Sequence, residues 1–205
     1  MNIEALDPFK RDILESALSV FANYGFKGAS IEAITDKTQT SKRMIYYHFG
    51  SKEGLYQAVL DFAYSKVRAR NNKHDFSKED PIEALSAFAA NAFDLFNGFP
   101  DFVRIVLQEN LQGSMYLQSA EEIIQVNRDN LALLNEILER GKHMGVVRQD
   151  VTSINVYMNF TGLCSHNVSS RNAYKALFGI DLSTPENLAN RKASICDAIV
   201  RYVKA

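Results

Sequence analysis

The chain predicts an all-α fold: a three-helix N-terminal domain containing a helix-turn-helix, followed by a larger helical domain. Three observations lead there. Apolar residues recur at helical spacing through nearly every segment of the 205 residues. Asp7-Pro8, Asp80-Pro81, and Ser183 or Thr184 with Pro185, each pair a capping side chain with a proline suited to a first helical turn. No stretch reads convincingly as a strand, and no repeat recurs at a fixed period.

The first helix runs from about Pro8 to Tyr24, with Phe9, Ile13, Ala17, Val20, Phe21 and Tyr24 on its apolar side and Gly25 as its stop. Ser30 caps a second helix that carries Ile31 and Ile34 inward and reaches Lys37 or Thr38. A third begins near Thr40 or Ser41 and ends near Tyr47. Two short helices joined by about three residues make the helix-turn-helix, the second being the recognition helix. Glycine is the usual residue in such a turn, where it permits positive φ; Gln39 stands there instead.

Ser51 caps a fourth helix of roughly 20 residues, about 30 Å long, with Leu55, Val59 and Phe62 on its buried side. The polar stretch 71–80 marks a boundary. This divides the chain into a helix-turn-helix domain (1–50), a connecting helix (51–73) and a larger helical domain (74–205), to which the family resemblance given below assigns ligand binding and dimerisation. A fifth helix starts at Pro81 and breaks at Gly98-Phe99-Pro100, and a sixth ends near Gly113. A long seventh runs from about Tyr116 to Arg140, an eighth from Thr152 to Arg171, and the last from Pro185 to Val203.

Composition narrows the functional classes. With 23 basic and 24 acidic residues the chain is no general polycation, so a nucleic-acid surface must be local. Between Lys42 and Lys73 seven basic residues face two acidic ones (Glu53 and Asp61). The two cysteines form no CxxC, and a reducing cytoplasm fits them. The N-terminus lacks an apolar signal region, and no run approaches the ~18 apolar residues of a membrane span. No GxSxG, P-loop, dinucleotide-binding or HExxH pattern occurs, so no enzyme is expected. Cys164 and His166 lie two apart on a helix and point away from each other, so neither a metal nor a cofactor is expected.

The stretch Thr40 to Lys52, TSKRMIYYHFGSK, combines a polar, basic helix start with two tyrosines, a histidine and a phenylalanine. By residue type alone it fits either a small aromatic core with a charged face or a helix laid on a polyanion. In the second case Lys and Arg would neutralise phosphates, and tyrosine hydroxyls and helix N-termini would hydrogen-bond phosphate oxygens.

The sequence YGFKGASIEAITDKTQTSKRMIYYHFGSKEGLYQAVL resembles the DNA-binding domain of the TetR family of bacterial transcriptional regulators, most specifically in YYHF followed by Gly-Ser-Lys-Glu. The resemblance covers about Phe9 to Leu60. It implies that Ser30 touches a phosphate, that Ser41, Lys42, Arg43 and Met44 face the groove, and that Tyr46 and Tyr47 divide between packing and DNA contacts. Tyr47 would be the backbone contact, His48 a hydrogen-bond donor to the backbone, and Lys52 a phosphate ligand. Ile34, Ile45 and Phe49 are expected in the core. Arg43 and Gln39 depart from the family's usual residues.

The resemblance further implies a cytoplasmic homodimer on a palindromic double-stranded operator. Its interface is expected on the helices at Thr152–Arg171 and Pro185–Val203. A small-molecule effector would release a repressor from DNA. Phe102, Met115, Tyr116, Tyr157, Phe160 and Asn167 are the expected lining of its pocket. The rival reading is a small-molecule-binding helical dimer with no DNA function.

Overall fold

A computed structural model describes residues 6–70, 75–114, 116–117 and 120–205. Among them are ten α-helices. Their ranges are α1 Pro8–Gly28, α2 Ile31–Thr35, α3 Lys42–Phe49, α4 Lys52–Arg70, α5 Pro81–Gly98, α6 Pro100–Leu111, α7 Glu121–His143, α8 Ser153–Ser169, α9 Arg171–Phe178 and α10 Pro185–Val203. A 3-10 turn, Phe76–Lys78, precedes α5. No helix of the described residues is long and apolar enough to cross a membrane.

The caps fall where local chemistry puts them. Asp80 Oδ1 accepts from the N–H groups of Ile82 and Glu83 at 2.9 and 3.2 Å, and Thr184 Oγ1 accepts from Asn187 N at 3.3 Å. Asp7 occupies the N-cap of α1 without a side-chain bond, so Pro8 alone marks that start.

The chain forms two compact units, Met1–Arg70 with Pro100–Ile124, and Asn71–Phe99 with Gln125–Ala205. These are drawn differently from the expected 1–50, 51–73 and 74–205. The α6 helix, expected in the C-terminal domain, packs on α1 and α4 within the first unit. That unit buries Ile13, Leu14, Phe21, Ile34, Ile45, Leu55, Tyr56 and Phe62. The second packs α5, α8 and α10 around Leu85, Phe93, Leu138, Phe160, Ile195 and Ile199. In it Arg140 donates to three carbonyls, those of Phe76, Ser77 and Glu79, at 2.9, 2.6 and 3.0 Å, and so ties the 3-10 turn to α7.

Several expected boundaries move. The α1 helix breaks at Gly25 (φ 66°, ψ 173°), as its glycine foretold, but the chain adds a further turn through Gly28. The α2 helix stops at Thr35, two or three residues early, and residues 36–39 form turns. The α3 helix runs on to Phe49, which is half-buried rather than core. The α7 helix runs Glu121–His143 rather than Tyr116–Arg140. It passes through Gly141, where a Cβ would lie 2.4 Å from Val147 Cγ2, and the positive φ falls on Gly145 instead. Ser170 (φ −101°, ψ 4°) ends α8 close to the expected Arg171, and α9 follows as a further helix where none was expected.

Candidate nucleic-acid interface

The α2–α3 pair is built from two serine caps. Ser30 Oγ accepts from Ala33 N at 3.1 Å, and Ser41 Oγ accepts from Met44 N at 3.3 Å. Between them Asp36 N donates to Glu32 O and Lys37 N to Ile34 O, and the Thr38 hydroxyl donates to Ile34 O. Gln39 costs this turn nothing, because the turn does not use a positive φ. Among the described residues Ser114 is the one non-glycine with that conformation.

Ile34 and Ile45 anchor the pair inward, both fully buried. That leaves Ser30, Ser41, Lys42, Arg43, Met44, Tyr46 and Tyr47 exposed, Tyr47 to 78%. Burying a tyrosine ring yields a large apolar gain, so one left this bare on a short helix is available to a partner. Lys42 pairs with Glu32 on α2. Both side chains are about half exposed, so the pair is weak and a phosphate can replace it.

His48 sits differently. It is half-buried, its ring edge-on to Phe9 at 5.6 Å and to Tyr47 at 5.1 Å. Lys52 is also half-buried, its Nζ 4.8 Å above the Phe26 ring. Both are held by aromatic neighbours from α1, which local sequence did not reveal.

The corner between α3 and α4 is tight. Gly50 takes φ 73° and donates its N–H to Tyr46 O at 2.8 Å. Ser51 Oγ caps α4 by accepting from Gly54 N at 3.0 Å. A Cβ on Gly54 would lie 2.2 Å from Phe49 O, so only glycine permits this approach. A lone glycine in the first turn of a helical pattern was the sequence signal for it.

The residues expected to line a pocket do not lie in one unit. Phe102 and Tyr116 belong to the first, and Tyr157, Phe160 and Asn167 to the second. Met115 lies outside the described residues. Phe102 packs edge-on to Tyr64 at 5.0 Å. Phe160 packs on Phe88 and Tyr157 at 5.4 and 5.2 Å, and the Tyr157 hydroxyl donates to Asn127 Oδ1 at 3.2 Å. Burial pushes the Tyr157 phenol above its usual range. Asn167 Nδ2 donates to Asn97 Oδ1 at 2.8 Å, while its own buried Oδ1 has no partner among the described residues. A cleft of about 400 Å³ in the second unit is lined by Phe93, Asp94, Asn97, Gly98, Leu188, Ala189 and Lys192, none of them among the expected six.

Known proteins match both halves of the chain. The family described as "Bacterial regulatory proteins, tetR family" matches residues 13–59, and the "Tetracyclin repressor-like, C-terminal domain" matches 81–199. The whole chain is 30% identical to the HTH-type transcriptional repressor NicS of Pseudomonas putida, covering 96% of it. It is 29% identical to the regulator RutR of Escherichia coli K12 over 64% of this chain and 59% of that one. In fold it resembles a tetR-family regulatory protein from Rhodococcus RHA1 (TM-score 0.77, 16% identity, 98% of this chain and 99% of that one). It also resembles the ketosteroid regulator KstR2 of Mycobacterium tuberculosis (TM-score 0.70, 18% identity, 98% and 97%). A capped helix-turn-helix with an exposed polar and aromatic face therefore has its explanation in ancestry: the chain belongs to the TetR family of bacterial regulatory proteins.

Proposed function

We propose that this protein is a sequence-specific transcriptional repressor that a small molecule releases from a palindromic operator. The observation that carries the reading is the α3 face, where Ser41, Lys42, Arg43, Met44, Tyr46 and Tyr47 stand exposed around a buried Ile45. The α3 N-terminus offers base-edge contacts in a major groove, and Tyr47, His48 and Lys52 take phosphates. Ser30 adds a contact beside α2.

One such helix reads only a few base pairs, so the working form is a homodimer with its two α3 helices about 34–36 Å apart. Its interface is the outer faces of α8 and α10. In support, α8 exposes Ile154 and Met158, while α10 exposes the small residues Ala193, Ser194 and Ala198. The effector is apolar or amphipathic, and of the expected lining it contacts Tyr157, Phe160 and Asn167 of the second unit. It works by binding the DNA-incompetent state more tightly, tenfold for each ~1.4 kcal/mol of preference.

Retardation of duplex DNA from upstream of its own gene tests the reading. Binding should weaken steeply with salt and saturate at one dimer per site. A dimer that retains a small molecule but retards no duplex at low salt would instead support a ligand-binding protein without DNA function.

A further inference from the structure

Within the first unit a buried carboxylate meets no cation among the described residues. Glu109 on α6 is 1% exposed. Its Oε1 accepts from the Tyr56 hydroxyl of α4 at 2.9 Å, and its Oε2 from the backbone N–H of Tyr116 at 3.2 Å. Burying a carboxylate on two neutral donors is costly, so the arrangement calls for a use beyond simple packing.

The two tyrosines that Glu109 holds are in contact, with ring centroids 5.1 Å apart. Both also touch Phe26, Tyr56 at 5.1 Å and Tyr116 at 5.6 Å. Phe26 is the ring beneath the Lys52 ammonium. It reaches that place because Gly25 turns the chain with φ 66°. The same α6 helix closes the other side of the turn, since a Cβ on Gly25 would lie 3.0 Å from Gln108 Oε1. Gln108 thus stands against the turn at Gly25, Glu109 bonds the two tyrosines that pack on Phe26, and the Lys52 ammonium lies over the Phe26 ring.

We propose that Glu109 is a positioning residue for DNA binding. Through Tyr56 and Tyr116 it sets Phe26, and Phe26 holds Lys52 at the phosphate-facing end of α4. This rests on the DNA-binding reading above and adds to it the residues by which α6 governs one phosphate contact. An ammonium on a flexible four-carbon stem gains most from such support, because an unsupported lysine must be ordered at the moment of binding.

The test uses the full chain and a duplex that the protein itself enriches from a random-sequence pool. Tyr56→Phe keeps the ring and deletes the bond to Glu109; Glu109→Gln keeps the volume but turns an amide donor toward one of the two donors. Each is made alone and together with Lys52→Ala, and thermal unfolding is recorded for all. The expected result is that Tyr56→Phe and Glu109→Gln weaken binding several-fold. They should also lower the slope of log K against log salt toward that of Lys52→Ala, a loss of about 0.9 for each protomer bound. In the Lys52→Ala background neither should have any further effect on binding. The proposal is overturned if the two variants lower the melting temperature but leave affinity and salt slope at wild-type values. Full additivity with Lys52→Ala overturns it equally, since it would show an action independent of Lys52. A wild-type protein that selects no duplex defeats the DNA-binding reading itself, which the wild-type lane alone reveals.

Discussion

The Phe49 carbonyl oxygen lies 2.2 Å from where a side chain on Gly54 would begin. That contact sets how closely α4 follows the recognition helix. Gly54→Ala should push the two helices apart, destabilise the first unit by about 1–3 kcal/mol through overpacking, and weaken DNA binding. Thermal unfolding and DNA retardation measured together check it. Unchanged values in both would show that the corner has slack.

Ser41 has two duties, capping α3 and facing the groove. Ser41→Ala should cost about 1 kcal/mol by removing the acceptor for Met44 N. Ser41→Asp restores an acceptor at a helix N-terminus but sets a negative charge against DNA. Stability should recover in the aspartate variant while operator affinity does not. Recovery of both would place Ser41 away from the DNA.

Phosphate and base contacts separate by their response to salt and sequence. Lys52→Ala should flatten the salt dependence of operator binding, and Tyr47→Phe should weaken it without dissociating the dimer. Lys42→Ala and Arg43→Ala should change which operators are preferred. A uniform loss across sequences for these two would assign them to the DNA backbone.

Burial pushes the Cys164 thiol up from 9.0 to about 12. Its folded-state value is raised, so its contribution to stability is complete below about pH 9 and is lost as pH rises toward 12. The stability gap between wild type and Cys164→Ala should narrow over that window in unfolding experiments. At pH 8 the native thiol should resist iodoacetamide, whereas the unfolded chain should react.

Ile154 and Met158 are 48% and 63% exposed on the outer face of α8. Replacing both with Glu should shift the protein to monomer in sedimentation velocity and reduce operator affinity, leaving the monomer folded. A dimer that persists would move the interface off α8.

Much of the fold was legible because its signals are local. Ser30, Ser41, Asp80 and Thr184 each cap a helix three or fewer residues away, and the bond is a property of that short segment. Gly25 and Gly50 announced backbone conformations that other residues rarely adopt. The end of α8 near Arg171 was legible, but the α9 helix after it was not, because Ser170 at its start makes no side-chain capping bond. Gln39 looked like a flaw only by comparison with relatives, since the turn itself makes no demand for glycine.

The sequence by itself determined that the protein is helical and where the helix-turn-helix lies, since caps, apolar period and residue chemistry act over a few positions. Only the tertiary structure decided what stands behind the helix-turn-helix. Tyr56 and Glu109 are 53 residues apart, and Lys52 meets Phe26 across the turn that Gly25 makes. Such pairings follow from how α1, α4 and α6 pack, and packing is a property of the assembled surfaces rather than of any one segment.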